Sequence, residues 1–315
     1  MTAELALVVN PTSGKGKGAR YGERAQSALR EAGVAVHRIV GRDAHEAAKL
    51  AQAALDAGAP ALAVVGGDGM VNLGLQLVAG TGRPLGVIPA GTGNDVARYL
   101  GLPLGDPEAA ARIVAAGHTG RCDLGRVTSA YSDEPRWFGT VMACGLDSKV
   151  NERANRMRRP RGPSRYTLAL LAELGPFSAI PFLLQTDDET RVELDGMLIA
   201  VGNGPTYGGG MRMCPEADPR DGRFQITVVD RVGKGTLLRI FPGVFSGRHV
   251  RHPKVSVRHG ACVELASSAE VPVSVWADGE RIGTLPATCE TVHDALTAFV
   301  PAPPHTGPGD PVSYH

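Results

Sequence analysis

Three short apolar runs in the first third of the chain each end at a glycine-rich segment. The apolar runs are 5–9, 61–65 and 85–88, and the glycine segments that follow them are 10–18, 66–72 and 89–95. Helical patterns separate the runs, and strands that alternate with helices are typical of a mostly parallel, doubly wound sheet. Residues 1–122 are therefore predicted to form an α/β domain, with the glycine segments together at the carboxyl ends of its strands.

The pattern changes after residue 122, where short strand-like stretches with turn signals dominate. Residues 123–290 are predicted to form a second, mainly antiparallel β-sandwich domain. Its predicted strands are 136–143, 192–201, 224–229, 255–257, 263–266 and 271–277, and its predicted helices are 151–174 and 234–241. A last strand near 291–300 is expected to pack back onto the first domain. Residues 301–315 contain five prolines and two glycines and are expected to form a disordered tail.

Composition excludes several classes of protein. The chain has 315 residues with Lys+Arg 33 against Asp+Glu 32, and a net charge this close to zero argues against a dedicated nucleic-acid binder. Its five scattered cysteines contain no C-x-x-C pair, so neither a disulfide framework nor a zinc site is indicated. The sequence shows no cleavable signal and no apolar run of about 18 residues. These features predict a cytoplasmic protein.

The glycine segments indicate a site for phosphate. Glycine lets backbone N–H groups approach an anion closely, and a following helix N-terminus favours negative charge. Asp68 can hold a cation that bridges phosphates, and Thr92 offers a hydroxyl group. Asn94 or Asp95 is expected to cap the next helix. Each segment alone could be an ordinary strand-to-helix turn, and the first fits neither the P-loop nor the G-x-G-x-x-G pattern. Together they favour an anion-binding cleft.

These segments resemble the diacylglycerol kinase catalytic-domain family, the soluble bacterial lipid kinases related to sphingosine and ceramide kinases. The matching motifs are Asn-Pro-x-Ser-Gly at 10–14, Gly-Gly-Asp-Gly at 66–69 with Asn72, and Pro-Ala-Gly-Thr-Gly-Asn-Asp at 89–95. The likeness continues through Gly145-Leu146-Asp147, Arg165-Tyr166, Asp221-Gly222 and Asp278-Gly279-Glu280. It covers residues 5 to about 300, and the 89–95 segment is its most specific part.

The resemblance implies transfer of the γ-phosphoryl group of ATP to a lipid hydroxyl with Mg²⁺. The residues implied to hold the nucleotide are Asn10, Pro11, Thr12, Ser13, Gly14, Gly66, Gly67, Asp68, Gly69, Met70, Val71, Asn72 and Thr92. The catalytic residues implied are Glu280 as proton acceptor, Asp278 as a residue that helps to set the site, and Asp68 as the residue that positions ATP and metal. Many relatives carry a threonine where this chain has Val40-Gly41-Arg42.

The segment 218–223 resembles the family's structural magnesium loop. The resemblance implies metal coordination by the Asp221 carboxylate beside the backbone carbonyls of Asp218 and Arg223, a small oxygen set that suits Mg²⁺. The alternative is an ordinary turn, because Asp-Gly between strand-like runs is common in hairpins. The segment 278–280 is likewise either an ordinary turn, between 271–277 and 281–284, or the segment in which the resemblance implies Glu280 as the proton acceptor.

A basic segment points to the membrane. Six arginines and no acidic residue lie between Arg153 and Arg165, an apolar helix start follows at 166–172, and a second basic stretch covers 248–254. Such a combination can make reversible contact with an anionic bilayer surface, which would place the protein peripherally at the inner face of the membrane. The alternative is a solvated loop followed by a core helix.

The sequence therefore predicts a lipid kinase, with diacylglycerol as the acceptor and phosphatidic acid as the product. Alternatives are a kinase for a sphingoid base, ceramide, phosphatidylglycerol or undecaprenol, and a nucleotide-binding regulator with little turnover. NAD kinases share the Gly-Gly-Asp-Gly loop, but the 89–95 and 278–280 segments favour lipid kinases. The choice between Glu280 and Asp278 as proton acceptor stays open, as do nucleotide selectivity and the oligomeric state, for which a homodimer is one option.

Overall fold

The computed structural model describes residues 4–130, 134–157, 168–169, 172–173, 178–187 and 189–302. The first part of the chain forms β1 (Leu5–Val9), α1 (Ser13–Glu31), β2 (Val36–Ile39), α2 (Ala44–Asp56), β3 (Leu62–Gly66), α3 (Asp68–Val78), β4 (Leu85–Pro89), α4 (Asp95–Tyr99) and α5 (Pro107–Ala116).

The second part is rich in strands. It forms β5 (Thr119–Ser129), β6 (Arg136–Phe138), β7 (Val141–Gly145), α6 (Leu146–Arg156), β8 (Ile180–Thr186), β9 (Val192–Gly202), β10 (Phe224–Asp230), α7 (Lys234–Val244), a short 3₁₀ helix (Arg248–Arg251), β11 (Val255–Gly260), β12 (Cys262–Ser267), β13 (Ser274–Ala277), β14 (Glu280–Thr284) and β15 (Ala287–Phe299).

The first domain contains a parallel sheet in the order β2-β1-β3-β4. Every residue of β1, β3 and β4 is buried, as expected of parallel strands covered by helices on both faces. Because β1, β3 and β4 run parallel, their carboxyl ends, which precede the three glycine segments, lie at the same end of the sheet. The predicted α/β domain is confirmed.

The second domain is a mostly antiparallel sandwich. Its strands follow the order β14-β13-β7-β9-β8-β12-β15, and β10 pairs with both β9 and β11. The core between its layers contains the fully buried rings of Phe138, Phe182 and Phe224, and the first and last of these stack with centroids 5.8 Å apart. The predicted sandwich is also confirmed.

Strand β15 belongs to both sheets. It runs antiparallel to β5 from the pair Ala287–Ser129 to the pair Phe299–Thr119, with an irregularity between Val292 and Leu296. Beyond that irregularity, Ala298 pairs in parallel with Leu85 of β4. The last strand thus fixes the position of the sandwich relative to the parallel sheet.

Some predicted elements differ from the observed ones. Residues 136–143 form two strands, β6 and β7, because the backbone N–H groups of Gly139 and Thr140 bond to the Asp278 carboxylate instead of a neighbouring strand. Helix α1 is interrupted near its start, because Gly14, Lys15 and Gly16 have non-helical, left-handed backbone. The strands β5 and β8 were absent from the prediction, whereas β14 forms the second arm of the turn predicted at 278–280.

Parts of the predicted helix 151–174 and of the predicted tail lie outside the described residues. Helix α6 accounts for the start of the predicted helix 151–174, whereas most of the arginine-rich stretch 153–165 and the tail after residue 302 lie outside the described residues. Within the described ranges, no helix is both long enough and apolar enough to span a bilayer.

Candidate active site

A cleft of about 770 Å³ lies where the two domains meet, at the carboxyl ends of the parallel strands. Its walls come from both halves of the chain. The lining residues are Asn10, Thr12, Ser13, Gly14, Lys15, Ala44, Gly67, Asp68, Gly69, Met70, Gly91, Thr92 and Gly93 from the first domain and Gly208, Gly209, Asp278, Gly279 and Glu280 from the second.

The first glycine segment turns its backbone toward this cleft. Gly14, Lys15 and Gly16 have φ values of 59°, 64° and 89°, so three consecutive residues adopt the left-handed region. A Cβ atom added to Gly14 would lie 2.0 Å from the carbonyl oxygen of Ala90. Glycine is therefore needed at position 14 for the first and third segments to approach each other.

Asp68 holds the third glycine segment in place. Its two carboxylate oxygens accept hydrogen bonds from the backbone N–H groups of Asn94 (2.9 Å) and Asp95 (2.7 Å). Burial raises the pKa of Asp68 to about 6, the Asp95 charge adds to the rise, and the two backbone hydrogen bonds oppose it. Neither Asn94 nor Asp95 caps α4 with its own side chain. The capping prediction was wrong because Asp68 supplies that function from another segment.

The Asp95 side chain instead binds the second domain. Its carboxylate accepts hydrogen bonds from the backbone N–H groups of Gly209 and Gly210, both at 2.9 Å. This contact places Gly208 and Gly209 in the cleft wall. This segment was not among the residues predicted from the sequence, although the run Gly208-Gly209-Gly210 was a visible signal.

The segment 278–280 is a hairpin turn and also part of the cleft. Asp278 and Gly279 connect β13 to β14 with φ values of 50° and 82°. The Asp278 carboxylate accepts hydrogen bonds from Gly139 N (2.8 Å) and from the N–H and hydroxyl groups of Thr140, and Asn72 Nδ2 lies 3.4 Å away. Burial raises the pKa of Asp278 in spite of these bonds. The segment is therefore a hairpin turn that also lines the cleft, and its catalytic role stays a prediction.

Glu280 projects into the cleft from the start of β14. Its Oε1 atom would lie 3.9 Å from a Cβ atom built on Gly69, so the carboxylate faces the second glycine segment. Partial burial raises the pKa of Glu280, the Arg136 charge lowers it, and the charge of Asp278 raises it further.

The structure separates the other predicted residues into two groups. Pro11, Gly66, Val71 and Asn72 lie behind the cleft surface rather than on it; Val71 is buried in the core, and Asn72 contacts Asp278. Asp218, Asp221 and Arg223 are exposed on a separate loop.

Asp123 anchors the loop that carries Asp218, Asp221 and Arg223. Its backbone N–H donates to Pro219 O at 2.7 Å, and its carboxylate accepts from Gly222 N at 2.8 Å. The Asp221 carboxylate accepts from Arg223 N at 2.9 Å. The loop connects β9 to β10 over more than twenty residues, so it is not the tight hairpin that Asp-Gly alone would suggest.

The region that lacks the family threonine begins helix α2. Asp43 caps this helix by accepting from Glu46 N at 2.9 Å. The Glu46 carboxylate accepts from Arg42 N at 2.6 Å instead of returning to the Asp43 N–H, so the two residues do not form a reciprocal capping box. Ala44 is the residue from this region that lines the cleft.

An apolar cavity of about 60 Å³ lies in the second domain. It is lined by Leu146, Val150, Met197, Leu198, Tyr207, Met211, Met213, Val229, Leu237, Ile240, Phe241, Val244 and His249. Tyr207 also borders a small space that it shares with Asp68, Asp95, Gly208 and Asp278. The segment that begins at Tyr207 therefore separates the polar cleft from the apolar cavity.

Both halves of the chain match known domain families. Residues 4–127 match the diacylglycerol kinase catalytic domain, and residues 140–300 match the YegS C-terminal NAD kinase beta sandwich-like domain. A diacylglycerol kinase of Mycobacterium tuberculosis is 44% identical over 299 residues, which cover 95% of each chain. The chain belongs to the diacylglycerol kinase family. The predicted family is thereby confirmed, and the chain is assigned to the lipid kinases.

The chain is also similar to a more distant sequence relative, and its fold is similar to solved structures. A diacylglycerol kinase of Staphylococcus saprophyticus is 28% identical over 304 residues, covering 96% of each chain. The fold is similar to a crystal structure of a diacylglycerol kinase from Bacillus anthracis, with a TM-score of 0.70 and 19% identity over 95% of this chain and 97% of the other. Yeast NADH kinase shares the fold less closely, with a TM-score of 0.55 and 10% identity over 95% and 84% of the two chains.

Proposed function

We propose that this lipid kinase transfers the γ-phosphoryl group of ATP, with Mg²⁺, to the free hydroxyl of diacylglycerol. The observation that carries the proposal is the apolar cavity beside the polar cleft, with Tyr207 on the boundary. The cleft offers glycine backbone and carboxylates for a nucleotide and a cation, and the cavity offers a hydrocarbon surface. The choice of diacylglycerol rests on the names of the relatives.

The first domain would hold the nucleotide. Successive left-handed residues at 14–16 form a concave backbone of the kind that binds phosphate, and the exposed hydroxyl of Thr92 lies across the cleft. Carboxylate oxygens suit Mg²⁺, and Asp68 is the carboxylate beside the glycine segments. When bound, Mg²⁺ would offset the negative charge of the transferred phosphoryl group. Nucleotide binding at this end of the cleft leaves the opposite end for the acceptor.

Glu280 is the residue proposed to accept the proton of the lipid hydroxyl. It projects into the cleft, and its raised pKa makes its carboxylate a stronger base than an ordinary surface glutamate. Asp278 has both oxygens engaged by Gly139, Thr140 and Asn72. Those bonds support a positioning role for Asp278, which fixes the turn that presents Glu280.

The loop with Asp218, Asp221 and Arg223 is proposed as a structural cation site apart from the cleft. The Asp221 carboxylate uses one oxygen for Arg223 N, so its other oxygen is available to a metal. Two backbone carbonyls and one carboxylate would leave several positions for water, as Mg²⁺ prefers. This site would stabilise the connection between β9 and β10.

The function can be tested with radiolabelled ATP and a panel of acceptors. The panel contains diacylglycerol, sphingosine, ceramide, phosphatidylglycerol, undecaprenol, NAD and no acceptor, each with Mg²⁺ and with a chelator. We expect label in phosphatidic acid only when Mg²⁺ is present. Label in NAD alone, or in nothing, would contradict a lipid kinase; label in another lipid would correct the acceptor.

Glu280→Gln tests the proton acceptor. We expect turnover to fall by a factor on the order of 10² to 10⁴, the usual contribution of a general base, while ATP affinity stays close to that of the unchanged protein. Glu264→Gln is the matched control, because Glu264 is a surface carboxylate on β12 with a side chain 49% exposed. Full turnover by Glu280→Gln would rule out its role.

A further inference from the structure

Helix α7 has an inner face and an outer face. Leu237, Ile240 and Val244 are buried and line the apolar cavity. Leu238, Pro242 and Phe245 are four and three residues apart, a spacing that places them on one side of a helix of 3.6 residues per turn. That side is open to solvent, with Leu238 43% and Phe245 44% exposed. The helix therefore carries apolar side chains on its outer face as well as on the face that lines the cavity.

The surroundings of this outer face are basic. Between Arg231 and Val263 the sequence has seven lysine or arginine residues and no aspartate or glutamate. Arg248 and Arg251 are exposed, and because they are three residues apart in a 3₁₀ helix they share one side. His249 between them is 3% exposed and lines the cavity. The two arginines are thus exposed and outside the cavity lining, on a 3₁₀ helix that contacts α7.

Three arginines in this basic region form no ion pair with another residue that the structure describes. Within the part of the chain that the structure describes, no carboxylate lies within ion-pairing distance of Arg239, Arg248 or Arg251. By contrast, Arg231 pairs with Asp195 at 3.6 Å, and Arg258 pairs with Glu189 at 3.8 Å. The positive charge of these arginines is thus available to an external anion, on and beside the helix that carries the exposed apolar side chains.

We propose that the outer face of α7 docks onto an anionic bilayer surface. This face consists of Leu238, Arg239, Pro242, Phe245, Arg248 and Arg251. Exposed apolar side chains flanked by arginines are typical of helices that lie in the headgroup region of a membrane, and guanidinium groups bind lipid phosphates well. The proposal rests on the proposed function, because it names the surface through which a lipid kinase would meet its substrate.

Docking through this face would place the apolar cavity close to the bilayer. The inner face of α7 lines the cavity, so only the thickness of one helix, about 10 Å, separates the cavity from the docked surface. An acidic protein is a weaker candidate for the same face. A stable protein interface uses about twenty or more residues on each side, whereas this face has only six residues. A face of this size suits a membrane surface, where charge attraction adds to the burial of a few apolar side chains.

Sedimentation with vesicles tests the proposal. Vesicles of phosphatidylcholine alone are compared with vesicles that also contain an equal part of phosphatidylglycerol. We expect binding to the anionic vesicles only, with about a 30-fold loss of partitioning for Arg248→Gln/Arg251→Gln and about a tenfold loss for Leu238→Asn. Raising the salt concentration to about 1 M should release the protein, since the Debye length falls to about 3 Å.

Matched controls come from the first domain. Leu50→Asn changes a leucine that is 43% exposed on α2, the same exposure as Leu238, and Arg30→Gln/Lys49→Gln removes two exposed charges. Both controls should bind vesicles like the unchanged protein. Equal binding by the α7 variants and these controls, or binding that ignores lipid charge, would overturn the proposal. Retention of the unchanged protein by an acidic protein but not by anionic vesicles would also overturn it.

Turnover of a short-chain diacylglycerol without vesicles separates this proposal from the proposed function. None of the substituted α7-face residues lines the cleft or the cavity, so the variants should phosphorylate the dispersed substrate at the unchanged rate. Vesicle binding of the expected pattern without any lipid phosphorylation would contradict the proposed function and support the docking face. Normal lipid phosphorylation, together with unaltered vesicle binding by the α7 variants, would support the proposed function and contradict the docking face.

Discussion

Three aspartates around the cleft hold its segments together through backbone hydrogen bonds, and Asp95 makes such bonds from one domain to the other. Asp68 binds the backbone that begins α4, Asp95 binds Gly209 and Gly210, and Asp278 binds Gly139 and Thr140. Each carboxylate accepts two backbone N–H groups from a different segment. The carboxylates of the cleft therefore hold its walls together in addition to any role in chemistry.

The raised pKa of Asp68 predicts how stability depends on pH. Its pKa is about 6 in the folded protein and near 3.9 in an unfolded chain, so folding takes up a proton between these values. The free energy of unfolding should therefore fall as pH rises from about 4 to 6, by up to about 3 kcal/mol. Asp68→Asn should remove this contribution.

Chemical denaturation between pH 4 and 7, without divalent cations, measures the effect. Asp56→Asn is the control, because Asp56 is an exposed carboxylate at the end of α2. The prediction concerns the difference between variants, since Asp278 has a raised pKa as well and contributes in the same direction. An Asp68→Asn protein with the pH dependence of the unchanged protein would contradict it.

At the scale of the elements, the first glycine segment combines left-handed backbone with a close approach to the third segment that leaves no room for a side chain at Gly14. Gly14 and Gly16 both have positive φ, but an added Cβ at Gly14 would meet Ala90 O at 2.0 Å, whereas nothing lies within 4 Å of one at Gly16. A side chain would therefore strain the left-handed backbone at both positions, and only at position 14 would it also clash with a neighbouring residue.

This contrast gives a matched pair of variants. Gly16→Ala should lose about 1–2 kcal/mol of unfolding free energy from the left-handed backbone. Gly14→Ala should lose about 2–4 kcal/mol, because crowding against Ala90 adds to the strain, and ATP affinity should fall more than tenfold as the two segments separate. Denaturation and calorimetric titration measure both quantities. Equal losses for the two variants would show that crowding is unimportant.

The α7 helix offers a test of the lipid cavity. Val244→Phe would fill space that the cavity now provides, so we expect a several-fold higher KM for long-chain diacylglycerol and little change for a short-chain one. Val255→Phe makes the same change in the same buried cluster but outside the cavity lining. If Val255→Phe raised the long-chain KM as much, the cavity would have no special role.

The sequence predicted the elements that carry strong local signals. Buried runs that end in glycine located the three cleft segments, and the resemblance located the Asp278–Glu280 turn. The Asp95 contact was missed because its partners, Gly209 and Gly210, are far along the chain and pair through backbone atoms that any sequence possesses. The apolar cavity was missed for the same reason, since its lining runs from Leu146 to His249 and no short motif marks it.

For the whole molecule, the shared strand β15 predicts cooperative unfolding. Because β15 pairs with β12 and β5 in the sandwich and with β4 in the parallel sheet, neither domain keeps all its strand partners when the other unfolds. We expect one transition in denaturant, with circular dichroism of the whole chain coinciding with fluorescence of Trp137 and Trp276 in the second domain.

Ala298→Pro gives the corresponding variant, because it removes a backbone donor where β15 lies between β4 and β5. It should lower the midpoint of both signals together. Two separated transitions in the unchanged protein, or a Pro variant that shifts only one signal, would show that the domains unfold independently.

The position of β15 also bears on how the protein is made. A ribosome releases β1 to β4 early, yet the neighbour of β4 on one side is a strand that ends at Phe299. Until that strand emerges, β4 lacks the neighbour that pairs with Leu85, and this edge of the parallel sheet stays open to other chains. Synthesis from the N-terminus thus cannot complete the first domain before the second has been translated, and the nascent chain must be protected for that interval.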